Sequence, residues 1–118
     1  MFINFTNHPA AKWDEQQLTA AQVYGDVVDM AFPLIAPLAT DVEVAALVRE
    51  YVARIMDMSP TAVLCQGEFT FVFAAVTELK KRGVLTLAAC SERRVNEHIV
   101  DGASQKTVTF KFVQFRSY

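Results

Sequence analysis

Short apolar runs and longer amphipathic stretches follow one another along the first three quarters of the chain. The short runs predict strands at Met1–Thr6, Asp26–Phe32, Ala62–Cys65 and Val84–Cys90. Between successive runs, apolar residues recur every three or four positions, which predicts a helix in each interval. This alternation of strand and helix is typical of a mostly parallel sheet with helices on both faces.

The last part of the chain has a different pattern. Val95–Val100 and Thr107–Tyr118 are strand-like and flank a turn signal at Asp101-Gly102, which predicts an antiparallel β-hairpin with a longer loop. The alternation slips at Phe112-Val113, which indicates a β-bulge or a strand that leaves the sheet. We therefore predict one α/β domain over residues 1–118, with a Rossmann-like three-layer fold, a β-α-β-α-β-α-β core and a C-terminal antiparallel hairpin.

Two helix starts are marked by residues that bind free backbone amides. Asp14 is followed three positions later by Gln17, and Thr40 by Glu43, which is the spacing of a capping box. Trp13 directly precedes the first of these starts. Its position is that of a hydrophobic staple residue, so we interpret it as a packing residue and not as a base-stacking platform.

The third predicted helix opens at Glu68, after a turn at Gln66-Gly67, and is apolar nearly all round. A helix with this pattern is buried on two sides. We expect one side to face the sheet and the other to face a second subunit. The high hydrophobic content, 53% of 118 residues, also favours a homodimer or a higher homo-oligomer.

Composition and motifs exclude several classes of function. The net charge of −2 argues against binding to long nucleic acid. No apolar run approaches the length of a membrane span and no signal segment is evident, so we expect a cytoplasmic protein without a membrane partner. Cys65 and Cys90 lie in predicted buried strands and suit packing in a reducing compartment. The dinucleotide, P-loop and nucleophile-elbow motifs are absent, and no zinc-ligand spacing occurs, so neither a metal nor a cofactor is expected.

Polar residues follow three of the predicted strands, where open parallel sheets bind ligands. They provide amide donors, two hydroxyls, three cations and a helix N-terminus. A helix N-terminus attracts anions. The sequence therefore predicts a site for a phosphate-containing ligand. The first strand contributes Asn7, His8 and Lys12, the third Gln66, Gly67, Glu68 and Thr70, and the fourth Ser91, Glu92, Arg93 and Arg94.

Several of these residues also have a purely structural interpretation. Gly67 serves a turn equally well, and one glycine is weaker than a glycine-rich fingerprint. His8 precedes a proline and suits the cap of a turn. Glu68 suits the start of a helix and would repel an anion unless it pairs with Arg93 or Lys12.

Three segments of the chain resemble a known family. They are NFTNHPAAKW near the start, VLCQGEFT followed by LKKRGV in the middle, and LAACSER after that. They resemble small stand-alone proteins that are encoded beside type III CRISPR systems. Those proteins are similar to a bare CRISPR-associated Rossmann-fold (CARF-like) sensor domain and are grouped with candidate ring nucleases. The resemblance extends over nearly the whole chain.

The resemblance implies a dimer that binds cyclic oligoadenylate, most often cyclic tetra-adenylate, at the carboxyl ends of the strands. Such proteins dampen the antiviral signal by sequestering the ring or by cleaving it. A two-fold symmetric ring suits a two-fold dimer. The resemblance implies ligand-binding roles for Asn7, His8, Gly67, Glu68, Phe69, Thr70, Ser91, Glu92 and Arg93. Gln66, at the end of the third predicted strand, completes the predicted ligand-binding set.

Ring cleavage would need no metal, because a ribose 2′-hydroxyl can attack the adjacent phosphorus when it is held in line. His8 would act as acid or base, and Lys12 or Arg93 would stabilise the developing charge. We favour sequestration over cleavage because the sequence shows no acid–base pair. An unrelated nucleotide-binding hydrolase with a Rossmann-like fold is the third alternative.

Overall fold

The computed structural model describes the whole chain, Met1–Tyr118. It contains five strands and three α-helices, with a 3₁₀ turn at Ala10–Lys12. The elements follow in the order β1 Phe2–Phe5, α1 Glu15–Gln22, β2 Val27–Asp29, α2 Asp41–Asp57, β3 Ala62–Cys65, α3 Phe69–Lys81, β4 Leu85–Val100 and β5 Ala103–Ser117.

The five strands form one sheet in the order β2-β1-β3-β4-β5. Strand β1 pairs in parallel with β2 and with β3, and β3 pairs in parallel with β4. Strands β4 and β5 are antiparallel. The mixed α/β class, the mostly parallel sheet and the antiparallel hairpin are therefore confirmed. The chain leaves β1 toward one edge and later crosses to β3 on the other side, so the strand order reverses between β1 and β3. A crevice for ligands forms at the carboxyl ends of such a pair.

Two clusters of buried side chains lie on opposite faces of the sheet, because successive residues of a strand point to opposite faces. Ile3 and Val63 belong to the larger cluster, which contains the buried sides of α2 and α3. Phe2 and Leu64 belong to the smaller cluster, which contains Ala21 of α1. Helix α1 therefore packs on one face, and α2 and α3 pack on the other.

The predicted helix starts are confirmed. The Asp14 Oδ1 atom accepts a hydrogen bond from the Gln17 amide at 2.8 Å. At the start of α2, the Thr40 hydroxyl accepts from the Glu43 amide at 3.2 Å, and the Glu43 carboxylate accepts from the Thr40 amide at 3.4 Å. This pair is a complete capping box. Strand β2 is shorter than the predicted strand Asp26–Phe32.

Strand β4 is much longer than the predicted Val84–Cys90. It runs without interruption over Leu85–Val100, so Ser91–Arg94 lies inside a strand and not in a loop at a strand end. The cause is pairing with β5, which continues far beyond the end of β3 and keeps β4 extended. The predicted bulge at Phe112-Val113 is confirmed, because the register shifts between Cys90 and Ser91.

The two strands beyond the bulge project from the body of the molecule as a hairpin, Ser91–Phe112, which we call the β-arm. Its turn contains only Asp101 and Gly102, whose φ angles of 52° and 77° define a two-residue turn. The predicted longer loop is therefore wrong. Every residue from Ser91 to Lys111 is exposed. The radius of gyration of 16.9 Å exceeds the value of about 13.5 Å typical of a compact domain of this length.

Helix α3 is buried on one side only within a single chain. Phe71 and Leu79 are fully buried, whereas Phe69 and Phe73 are 88% and 76% exposed. The two cysteines are free, and Cys65 is buried while Cys90 is half-buried. Burial raises the pKa of the Cys65 thiol to about 12, which keeps it protonated and unreactive. No helix combines the length and apolarity needed to cross a bilayer.

Candidate functional site

A cleft of about 600 Å³ opens at the carboxyl ends of β1 and β3, beside the reversal of strand order. The loop after β1, the turn after β3, the start of α1 and the base of the β-arm form its walls. Among the residues predicted from the sequence, the cleft brings together Asn7, His8, Lys12, Gln66, Gly67 and Ser91.

A buried amide holds the loop after β1 in place. Asn4 is 1% exposed, and its Nδ2 atom donates to the His8 carbonyl at 2.9 Å and to Asp29 Oδ1 at 2.8 Å. Its Oδ1 atom accepts from the Thr6 hydroxyl at 2.8 Å. The Ala10 amide also donates to Asp29 Oδ1, at 3.1 Å. These bonds fix the backbone of the loop that carries the exposed side chains of the site.

Trp13 is a second support of the same loop. Its indole Nε1 donates to the His8 carbonyl at 3.1 Å. Its ring packs edge-on against Phe2 at 6.2 Å and near Phe115 at 6.5 Å between centroids. These contacts are those of a packing residue, as predicted, although the residue also lines the cleft.

Gln66 and Gly67 line the cleft, and contacts within the protein account for both residues. The Gln66 Oε1 atom accepts from the Ala89 amide at 2.9 Å, which ties the end of β3 to β4. A Cβ atom on Gly67 would lie 2.5 Å from Cζ of Phe32. Packing of that ring therefore explains the glycine, whether or not a ligand approaches it.

The carboxylate of Glu68 caps the N-terminus of α3, which the sequence analysis had considered as a site for an anion. Its carboxylate accepts hydrogen bonds from the Thr70 hydroxyl and from the amides of Thr70 and Phe71 at 3.1 and 2.8 Å. The Thr70 hydroxyl first, and then the two amides, hold the pKa of Glu68 below its ordinary value. These contacts support the structural interpretation of Glu68, in which it caps the start of a helix.

The remaining predicted residues lie outside the cleft. Glu68 and Thr70 line a separate cavity beside the start of α2, and Phe69 is exposed on α3. Glu92 pairs with Arg94 at 3.3 Å on the exposed β-arm. Arg93 lies opposite Phe110 in the β-arm, beyond the lining of the cleft. Of the three predicted catalytic residues, the cleft therefore contains His8 and Lys12.

Several residues of the site region were not predicted from the sequence. Phe110 and Phe112 line the cleft from the base of the β-arm, and Asn4 and Asp29 hold the loop after β1. The sequence did contain an indication for Asn4, since it is a polar residue inside an apolar strand. The sequence contained no such indication for Phe110 and Phe112, because alternation in a hairpin does not show which face of the hairpin lies against the cleft.

The cleft combines the positive charge of one lysine with polar side chains. Lys12 provides an ammonium group, and His8, Asn7 and Ser91 provide polar groups that stay exposed or half-exposed to a ligand. The nearby carboxylate of Asp14 is engaged in capping α1. Such a set suits a phosphodiester better than a free multiply charged phosphate, because only one lysine balances its charge.

The fold and the cleft define a small α/β domain with a cleft at the reversal of its strand order. Residues 1–116 match the model of the Uncharacterized protein MJ1673 family, and the chain belongs to that family. Neither the curated proteins nor the solved structures contain a match to the chain.

Proposed function

We propose that the protein binds cyclic oligoadenylate, with cyclic tetra-adenylate as the foremost ligand, and lowers type III CRISPR signalling by sequestering it. The observation that carries this proposal is the cleft at the carboxyl ends of β1 and β3. Its lining joins all three segments of the family resemblance: Asn7, His8 and Lys12 from the first, Gln66 and Gly67 from the second, and Ser91 from the third. Its volume of about 600 Å³ is in the range of small-ligand sites.

The Rossmann-like, CARF-like arrangement is part of the same proposal. Helix α1 on one face of the sheet and α2 and α3 on the other support a three-layer fold. The strand order β2-β1-β3-β4-β5 supports a doubly wound sheet in which β5 has joined as an antiparallel edge.

Cleavage of the ring is the second candidate activity, because His8 and Lys12 line the same cleft. In this role His8 would transfer the proton of the attacking 2′-hydroxyl, and Lys12 would stabilise charge on the phosphorane oxygens. Sequestration ranks first because every hydrogen bond of His8 is made by its backbone. No side chain therefore orients the ring or fixes its tautomer.

The direct test is incubation of the purified protein with radiolabelled cyclic tetra-adenylate, divided between a native and a denaturing gel. We expect a shifted band with an intact ring. A linear product formed with chelator present would establish the ring nuclease instead, and His8→Ala should then abolish the product while preserving the shift. Absence of both a shift and a product would overturn the proposal.

Lys12→Gln tests whether the ligand binds in the cleft. Loss of one charge-assisted hydrogen bond to phosphate should weaken binding by about tenfold or more. Lys106→Gln removes the same charge from the exposed β-arm and should leave the affinity unchanged at moderate salt. Equal losses in the two variants would indicate nonspecific attraction and not a cleft-bound ligand.

The homodimer belongs to this proposal as well, with α3 as the contact surface. Phe69 and Phe73 form an exposed ridge beside an apolar groove of about 590 Å³ that also contacts Val72 and Tyr118. A ridge next to a groove is a self-complementary surface, as a two-fold interface requires. Phe69 opens α3 just after the turn that lines the cleft, so pairing there would bring two carboxyl-end edges together.

A further inference from the structure

On the basis of the proposed function, we propose that Phe110 is the platform on which one nucleobase of the bound oligonucleotide stacks. The base would lie against the ring of Phe110, and the adjoining phosphodiester would face Lys12 and His8. No sequence pattern assigns a role to Phe110, which lies on the β-arm and outside all three segments of the family resemblance.

Phe110 is an exposed aromatic ring in the wall of a polar cleft. Its exposed fraction is 70%, whereas Phe112, two residues further along the same strand, is 4% exposed. Both rings line the cleft, because residues two apart in a strand share a face. A large apolar ring left open beside a cation and amide donors matches the needs of a nucleotide, which has a π-face and a phosphate.

A chain of aromatic contacts reaches from the core to the base of the β-arm, close to Phe110 in sequence. Phe112 packs against Phe115 with centroids 4.8 Å apart, and Phe115 packs against Phe2 at 5.3 Å. Phe2 is fully buried in the core under α1. The β-bulge opposite Cys90-Ser91 allows Phe112 and Phe115, three residues apart, to share this face. The aromatic row therefore runs from the core to Phe112 in the cleft lining, and Phe110 lies two residues further along the same strand.

The rest of the exposed apolar face of the β-arm does not meet the cleft. Val108 and Val95 form the next cross-strand pair toward the tip and do not line the cleft, although they lie on the same face as Phe110. A purely hydrophobic contact with another molecule would use these residues together with Phe110. A stacking platform uses the ring alone, and this difference makes the assignment testable.

The test is calorimetric titration of four full-length proteins with cyclic tetra-adenylate and, separately, with linear tetra-adenylate. The proteins are the wild type, Phe110→Leu, Phe110→Tyr and Val108→Ala. Loss of one base–aromatic stack should weaken binding to Phe110→Leu by a factor of about 5 to 150. Phe110→Tyr keeps the π-face, and Val108→Ala lies beyond the cleft, so both should bind like the wild type. Sedimentation of each variant reports whether its oligomeric state has changed.

The outcomes separate this assignment from the proposed function. Tight binding of the cyclic ligand by both the wild type and Phe110→Leu would overturn the platform and leave the proposed function standing. Binding of only the linear ligand, with a loss in Phe110→Leu, would support the platform and overturn the proposed ligand. Equal losses in Phe110→Leu and Val108→Ala, accompanied by a change in sedimentation, would assign the ring to self-association. Failure of the wild type to bind either ligand would overturn both proposals.

Discussion

Asn4 illustrates how one buried side chain controls the backbone of a loop at some distance along the chain. Its amide donates to the His8 carbonyl and to Asp29, and its oxygen accepts from Thr6. A buried amide is tolerated in a strand only when such partners satisfy it. Because these bonds tie the loop after β1 to the end of β2, the position of the His8 side chain depends on a residue that does not line the cleft.

Asn4→Asp should therefore destabilise the protein strongly. The substitution removes both donors and places a carboxylate oxygen against Asp29 Oδ1 and the His8 carbonyl. We expect a loss of about 3 to 5 kcal/mol in the free energy of unfolding at pH 7, measured by chemical denaturation. Asp29→Asn keeps its Oδ1 acceptor and lies at the surface, so it should cost less than about 1 kcal/mol. Equal losses in the two variants would show that the negative charge of Asp29 is required as well as the amide of Asn4.

Among the elements, the β-arm depends least on the rest of the molecule. All its residues up to Lys111 are exposed, and none of them belongs to either buried cluster. Its stability comes from its own ladder, its turn and its anchoring at the bulge. A two-stranded ribbon of this kind is marginal in water, so we expect it to open locally without unfolding the body.

Gly102→Ala tests this independence. Gly102 has a φ of 77° and an added Cβ would meet no atom within 4 Å, so the only penalty is backbone strain. That strain is about 1 kcal/mol, which should raise amide exchange in the β-arm about fivefold. Hydrogen exchange measured by mass spectrometry should show this change while peptides from β1 and β3 keep the rate of the wild type. A matching loss in the global free energy of unfolding would show instead that arm and body unfold together.

Elements fixed by local chemistry were predictable from the sequence, and those fixed by distant pairing were not. The starts of α1 and α2 were placed correctly because Asp14 and Thr40 bind amides only three residues away. The end of β4 was misplaced because its partner in the ladder there is β5, and the polar run Ser91–Arg94 gives no apolar periodicity of its own. The two-residue turn was missed for the same reason, since the pairing of Val100 with Ala103 sets its length.

The candidate site shows the same division at the scale of the whole molecule. The rule that ligands bind at the carboxyl ends of parallel strands groups His8, Lys12 and Gln66, and in the structure these three residues line one cleft. It did not separate the two faces of the sheet, so Glu68 was grouped with residues that the structure places elsewhere. Phe110 enters the cleft only through the bulge and the continued pairing of β4 with β5, which no local pattern specifies.

The surface of α3 provides the last prediction, which concerns the assembly of the whole molecule. Phe69→Ser combined with Phe73→Ser should convert the proposed homodimer to a monomer. Each copy would lose two rings from the interface, and each buried ring is worth about 1.5 to 3 kcal/mol, so the dissociation constant should rise at least about 100-fold. The fold should survive, because both side chains are largely exposed in the single chain. Sedimentation gives the oligomeric state, and circular dichroism reports the fold.

Leu34→Ser combined with Leu38→Ser is the matched control for this assembly. These leucines are 94% and 95% exposed, and they lie between β2 and α2 outside the groove beside α3. The control lowers surface hydrophobicity by a similar amount, so it should sediment like the wild type if the contact is specific. A wild-type monomer, or a phenylalanine variant that stays dimeric, would remove α3 as the contact. Dissociation of both variants would show that general surface hydrophobicity, and not the ridge and groove of α3, holds two copies together.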